Sequence, residues 1–372
     1  MTKMMLDKGR NLISTKQLFA ILVIVMGGTG LIGLTGLVTD GVQQDAWIST
    51  LLSGILAFVG MNLILFLLKH FPNDDFIGIS EKVLGKYLGR IPGIILFLFY
   101  LVFTALALRT LVDLSAVWYL PKTPIEITLI TTLGLLFYLT RNGVKVMGRF
   151  QQIILWVLVP IIPLFMVPFL VHKDLLMVMP VGGSGLVPIL RGIFPAFYAF
   201  FGFETIFILY PYVRNDADHK EIVKTANLAI VLVIIFKVFV VFSNIATFGH
   251  KEITFFLYPL LQYFKLLSFP VIERLEFFLM YFLVFMIFSS ISVTFYMSNL
   301  SIEKVLKIEG YKNTGLFLAI PVYYLTIYAQ NVGQYLGLVN TVTLYGYILL
   351  LASFLLVFGV AIIRGKVKKD ES

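Results

Sequence analysis

Two short runs place residues able to do chemistry inside an otherwise apolar sequence. One is Gly27-Gly28-Thr29-Gly30, within VIVMGGTGLIGLTGLV; the other is Phe200-Phe201-Gly202-Phe203-Glu204, shortly after Pro195. An interior glycine costs a helix roughly 1 kcal/mol against alanine, so glycines gathered in this way point to helices that break. A break frees carbonyls at the end of its first half and N–H groups at the start of its second. The N–H end attracts a carboxylate, and the carbonyl end suits a cation or an ammonium group. Gly27, Gly28 and Gly30 also lack side chains, which lets a small ligand approach the backbone closely. Small-residue packing between helices is the other use of such glycines, and it is the reading for Gly33 and Gly36.

Charges within apolar runs are costly and are functional candidates by default. Glu204 directly follows the second interruption, where it suits three roles: holding unwound backbone, pairing with a cation or carrying a proton. Lys237 lies about 20 Å into its apolar run at 1.5 Å per residue. Arg109 and Asp113 are one helical turn apart and are expected to pair with each other as a structural feature. Glu273 and Glu276 fall at the start of a run, where a helix dipole accounts for acids.

The elements that position these residues follow from composition. The chain has 372 residues, 59% hydrophobic and 13% charged, with a mean hydropathy of +0.95. That exceeds what a soluble domain carries, and continuous apolar runs without period-2 alternation exclude a β-barrel. Spans are expected at 16–38, 46–69, 92–119, 124–140, 150–171, 188–211, 222–249, 276–300, 314–330 and 340–363. Of the 29 lysines and arginines, 21 fall at the N-terminus, at the C-terminus or in alternate loops. Only Lys122, Lys173, Lys251, Lys265 and Arg274 occupy the opposite loops. The positive-inside rule then puts both termini in the cytoplasm. The opening MTKMMLDKGRNLISTKQ lacks a signal-peptide core, so the first span is expected to remain in the mature protein. The inner stretch FPNDDFIGISEKVLGKYLGRIPG and the outer ITFFLYPLLQYFKLL each read as a non-crossing helix.

Ten spans divide five and five, and an odd number per half forces opposite orientations. The expected fold is therefore an all-α membrane protein with a 5+5 inverted repeat, about 16–171 and 188–363, in a single integral membrane domain over 1–372. The two interruptions fall about 11 residues into span 1 and about 13 into span 6; such paired breaks mark transporter-type binding sites.

The same segments carry a resemblance. ISTKQLF, DAWIS, WYLPKTPIEI, RNGVKVMGRFQQI, MPVGGSGLVPILRGIFPAF, FGFETIFILYP and VIERLEFFLMYFLVF, in this order over about 12–363, resemble the B subunits of bacterial spore germinant receptors. These sit within the amino acid–polyamine–organocation transporter superfamily. Ala46 stands in DAWIS where that family usually has glycine, and YPLLQYFK is a loose version of its pattern. The resemblance implies a LeuT-like fold with helices 1 and 6 broken, and a site surrounded by spans 1, 3, 6 and 8. Span 3 would then offer Phe99, Tyr100 and Phe103, and span 6 Phe201 and Gly202. Ser289 and Ser290 would resemble the span-8 half of a sodium site completed by span-1 carbonyls; serines also pack helices and bond their own backbone. Further implications are a small-molecule nutrient, often an amino acid, and a receptor in the spore inner membrane with an A subunit and a C-subunit lipoprotein as partners.

The chain has no cysteine, and its four histidines show no metal-ligand spacing. No phosphate loop or serine–histidine arrangement suggests an enzyme, and neither a cofactor nor a metal is expected. The net charge of +9 is read as loop charge that orients the protein in a bilayer rather than as a nucleic-acid surface. The expected function is nutrient sensing at the two breaks; the alternative is a proton- or sodium-coupled amino acid permease.

Overall fold

Apolar sequence in a bilayer has to satisfy its backbone within each segment, and this chain does so by forming helices almost throughout. A computed structural model describes residues 12–28, 30–214, 218–267, 275–308, 311–329 and 332–366. Thr29, Glu273, Arg274 and the basic residues at both extreme termini lie outside the described residues.

The first expected span is divided between α1 (Thr15–Gly27) and α2 (Gly30–Val42), and a 3-10 turn leads on to α3 (Ala46–Lys69). The inner amphipathic helix is α4 (Phe76–Leu84), with Phe76, Ile77, Ile79 and Val83 buried. Three spans follow as α5 (Arg90–Trp118), α6 (Ile125–Thr140) and α7 (Val144–Leu158). Pro160 and Pro163 cannot donate to a helical ladder, and α7 accordingly gives way to a 3-10 stretch before α8 (Met166–His172). The second half runs through α9 (Leu186–Phe197), the four-residue α10 (Ile206–Leu209), α11 (His219–Ile253) and α12 (Pro259–Lys265). It ends with α13 (Leu275–Leu306), α14 (Tyr311–Tyr328) and α15 (Val332–Ile363).

Helices thus occupy every expected segment. Among the described residues six helical stretches are long and apolar enough to cross a membrane, or seven with the bent pair Leu186–Phe200 and Phe203–Tyr212. Thr15–Gly27, Ile125–Thr140 and Thr314–Tyr328 are apolar but shorter. The chain is a multi-pass, all-α membrane protein. Within ITFFLYPLLQYFKLL the short helix α12 forms, buried at Leu260, Leu261, Tyr263 and Phe264.

Local sequence explains where the first helix begins. Ser14 caps α1: its Oγ accepts from the Gln17 N–H at 3.3 Å while Gln17 Oε1 accepts from the Ser14 N–H at 3.0 Å, a reciprocal capping box. At this end Ile13 lies beside Val213, its N–H donating to the Tyr212 carbonyl at 2.9 Å. The start of the first interrupted helix and the end of the sixth are therefore tied together. Below them α4 is clamped by ion pairs. Asp75 pairs with Lys304, and Glu81 pairs with Lys307 at 2.9 Å and Arg90 at 3.4 Å.

The opposite side has a matching tie. The buried Asp45 carboxylate accepts from the Gly182 N–H at 2.8 Å and the Ser184 N–H at 2.9 Å. This explains together two segments noted in the sequence, DAWIS and PVGGSG: the glycine-rich loop wraps its amides around the aspartate. Ser49 and Ser53 then donate to the carbonyls of Ile189 and Ile193, both at 2.8 Å, fixing α9 along α3.

Candidate functional site

The first interruption is local to Gly28. Its ψ of −104° departs from the helix, and its N–H closes the last turn of α1 on the Ile24 carbonyl at 2.9 Å. The second interruption is sharper. Phe201 is extended, and Gly202 takes a φ of +113°, a region that favours glycine. The chain then restarts through a 3-10 turn at Phe203–Thr205, and the two halves are bent by 50°.

The two interruptions lock into each other. A Cβ added at Gly30 would come within 2.7 Å of the Ala199 Cα, and one at Gly202 within 2.6 Å of Val25 Cγ1 and 3.0 Å of the Met26 nitrogen. Each glycine thus admits the other broken helix. A Cβ at Gly28 would fall against Ser290, 2.6 Å from its hydroxyl, while one at Gly27 would meet only Met286 Sδ at 4.0 Å. Gly36 packs against Pro259 of α12 as expected of a small-residue contact. The packing expected at Gly33 is corrected: among the described residues nothing lies within 4 Å of a Cβ there.

Charge is arranged to suit the broken ends of the sixth span. Lys237, fully buried on α11, donates its ammonium to the Ala199 carbonyl at the end of the first half, 5.3 Å over the Phe200 ring. Glu204, 2% exposed, accepts from the Gly202 N–H at 2.9 Å at the start of the second half. A basic group therefore sits at the carbonyl end and an acidic group at the amide end, the arrangement a helix dipole favours. Thr205 adds a hydroxyl bond to the Gly202 carbonyl at 2.6 Å.

The aromatic residues converge on the same point. Phe201 stands edge-on to Phe99 at 5.4 Å and to Phe103 at 4.8 Å, and lies 3.7 Å from the Tyr347 ring of α15. Tyr198 packs 5.2 Å from Phe201. Tyr100 packs against Phe99 at 5.5 Å, and the hydroxyls of Tyr100 and Tyr347 are buried with no hydrogen-bond partner among the described residues. Beside this cluster a cavity of about 400 Å³ runs between α3, the sixth span and α15, with Glu204, Tyr198, Phe203 and Tyr347 in its wall. Its mouth is formed by exposed apolar residues such as Leu56 and Leu351.

The two serines separate. Ser290 Oγ donates to the Val25 carbonyl at 3.2 Å, bridging α13 to the end of α1. Ser289 donates instead to Gln151 Oε1 at 2.5 Å, on the side of α7 away from the break. Gln151 Nε2 bonds back to the Ser289 carbonyl and to Ser292 Oγ, both at 3.1 Å. Arg109 and Asp113 pair at 2.9 Å, with the Tyr335 hydroxyl bonded to neighbouring Thr110 at 2.6 Å. The structure therefore gathers Gly27, Gly28, Gly30, Phe99, Tyr100, Phe103, Phe201, Gly202, Glu204, Lys237 and Ser290 about the breaks. It leaves Ser289 and the Arg109–Asp113 pair to other contacts. Sequence reasoning missed Tyr198 and Tyr347 at the cluster and Gln151 behind it. Gln151 was the more visible, as an amide in an apolar run.

Comparison with known proteins bears on family and fold. Residues 12–360 match the family model described as spore germination protein. The chain is 26% identical over 332 residues to spore germination protein GerQB of Bacillus cereus, covering 89% of this chain and 90% of that one. It is 24% identical over 361 residues to spore germination protein A2 of Bacillus subtilis (strain 168), covering 95% and 96%. Among solved structures it superposes on Mhp1, a nucleobase-cation-symport-1 family transporter in a closed conformation with bromovinylhydantoin bound. That match has a TM-score of 0.72 and 14% identity, covering 95% of this chain and 79% of that one. A manganese transporter of Eremococcus coleocola matches with a TM-score of 0.60 and 14% identity, covering 94% and 78%. These likenesses identify the fold as that of LeuT-like transporters.

Proposed function

The chain belongs to the spore germination protein family, and from that premise we propose that it is the nutrient-sensing membrane subunit of a germinant receptor. A small nutrient, with an amino acid as the leading class, binds where the two interrupted helices meet. Ten crossings form a 5+5 inverted repeat in one membrane domain, with both termini cytoplasmic. The protein sits in the spore inner membrane beside an A subunit and a C-subunit lipoprotein. It is not an enzyme.

The observation carrying this reading is the junction of the breaks, where Lys237 and Glu204 hold opposite ends of one split helix beneath a ring cluster centred on Phe201. A ligand carboxylate would compete for backbone amides and an ammonium group for backbone carbonyls. The rings would select the side chain. Displacing Phe201 would shift the sixth span, which is tied through Ile13 and Val213 to the first. Binding would thus change the relation between the two helices without any need to move cargo.

The permease reading draws support from the transporter fold. The two separate in one strain background. Spores carrying Phe201→Ala are scored for germination against amino acids of increasing size, and vesicles containing the chain are scored for uptake of the same compounds. Sensing predicts a graded change in nutrient ranking, since a methylene in an apolar pocket changes discrimination by about 1–3 kcal/mol, with no uptake above empty vesicles. Uptake driven by a proton or sodium gradient would favour the permease.

A further inference from the structure

A second cavity, of about 470 Å³, opens between the N-terminal parts of α1 and α11 and the C-terminal half of α7. Two lysines stand in its wall: Lys16 in the first turn of α1 and Lys224 early in α11, both exposed. Among the described residues neither has an ion pair or hydrogen bond. Around α4, by contrast, Lys82, Arg90, Lys304 and Lys307 are each matched to an acid. The one acid in this cavity, Glu221, is engaged by the Thr15 hydroxyl at 2.9 Å. The mouth therefore keeps a net positive charge, and the amide-bearing N-termini of α1 and α11 meet at it.

Apart from Thr15, Gln152 and Thr225 the remainder of the wall is apolar, and part of it faces sideways. Trp156 is 68% exposed, Leu228 52% and Val159 43%. Solvent-facing apolar residues of this size on a membrane helix face acyl chains. The cavity thus joins a cationic head region to an apolar flank open to the bilayer, and it belongs to the end of the molecule where basic loops concentrate.

We propose that this cavity binds an anionic phospholipid, with the phosphate held by Lys16 and Lys224 and an acyl chain lying along Trp156 and Leu228. Basic pockets between membrane helices on the cytoplasmic side recognise such headgroups. A zwitterionic lipid offers the same chain but no net charge to match the two lysines. An acidic protein segment would satisfy the lysines but would leave the apolar flank to ordinary lipid. A lipid here bridges α1, which leads into the first break, to α11, which carries Lys237. Its occupancy would therefore tie the nutrient junction to membrane composition. The site itself does not depend on what the junction binds.

The test uses the purified full chain in nanodiscs of phosphatidylcholine with or without phosphatidylglycerol. Native mass spectrometry counts retained lipid, and thermal melting follows in the same discs. Phosphatidylglycerol should be retained selectively and should raise the melting temperature. Each lysine near an anionic surface is worth about fivefold in affinity, so Lys16→Gln with Lys224→Gln should weaken retention about thirtyfold. The melting temperature in pure phosphatidylcholine should stay unchanged, which shows that the double variant folds. Trp156→Ala keeps the charge and should weaken retention by a smaller factor. Equal retention of both lipids would overturn the proposal, as would selectivity that survives in the double lysine variant. Equal protection by inorganic phosphate would also overturn it, because the ligand would then be a free anion rather than a lipid.

Discussion

Gly202→Ala isolates the interlock between the two broken helices. The native φ of +113° is a conformation that an L side chain adopts only under strain, at about 1–3 kcal/mol. The new methyl would also sit 2.6 Å from Val25 Cγ1 and 3.0 Å from the Met26 nitrogen. Backbone cannot step aside as a flexible side chain would, and overpacking of this kind costs about 1–3 kcal/mol. A combined loss of about 3 kcal/mol is the conservative expectation from these two contributions. With about 2.1 cal/mol/K of unfolding entropy per residue over 372 residues, that loss lowers the melting temperature by about 4 °C. The assay is thermal melting of the detergent-purified chain, with Gly33→Ala as the control. Position 33 is helical with open space around it, so alanine there should be neutral or stabilising by about 0.5–1 kcal/mol. A Gly202→Ala protein that melts at or above the native temperature would refute the interlocked break.

Glu204→Ala leaves the buried Gly202 N–H without its acceptor, at about 1–3 kcal/mol. Glu204→Gln keeps an acceptor oxygen, so it should retain most of the stability and most of the nutrient response. A stable but unresponsive Gln protein would instead assign the carboxylate charge a direct part in signalling. Asp45→Ala removes a buried charged acceptor from two backbone amides, and at about 1.5–3 kcal/mol per such bond it should destabilise the chain by about 3 kcal/mol or more in the same melting assay. Glu81 at the inner clamp titrates. Burial pushes its pKa up, but hydrogen bonds and charge from Lys307 and Arg90 outweigh this and hold it below the usual 4.5. Its contribution is therefore complete above pH 4.5 and is lost as pH falls through the lowered value. The melting difference between native chain and Glu81→Gln, worth about 1 kcal/mol or less for so exposed a pair, should vanish in acid.

The helical segments were legible in the sequence because lipid forces every segment to satisfy its own backbone, and an apolar run can do so only as a helix. Both interruptions were legible for the complementary reason: glycines gathered together, or a glycine beside an acid shortly after a proline, are too costly in a continuous apolar helix to lack a purpose. What stayed hidden was rotation about each helix axis. Apolar residues surround these helices on all sides, so no amphipathic stripe says which face looks inward. Ser289 and Ser290 are sequence neighbours, yet one meets Gln151 and the other the Val25 carbonyl. Gly33 and Gly36 likewise look equivalent in a run of small residues, yet only Gly36 meets a neighbouring helix. Tyr347 was hidden because a tyrosine in an apolar span near the C-terminus gives no sign that it will stack on a ring far away in sequence.

The central claim is that the junction of the two breaks holds a small nutrient, and equilibrium binding to the purified full-length chain tests it most directly. Radiolabelled amino acids are titrated against native protein, Phe201→Ala and the control Gly33→Ala, whose added methyl meets no neighbour. The account predicts saturable binding of at least one amino acid to native protein and to Gly33→Ala, with affinity or side-chain preference altered in Phe201→Ala. Absence of saturable binding to a natively melting chain, or binding indifferent to Phe201→Ala, would contradict it.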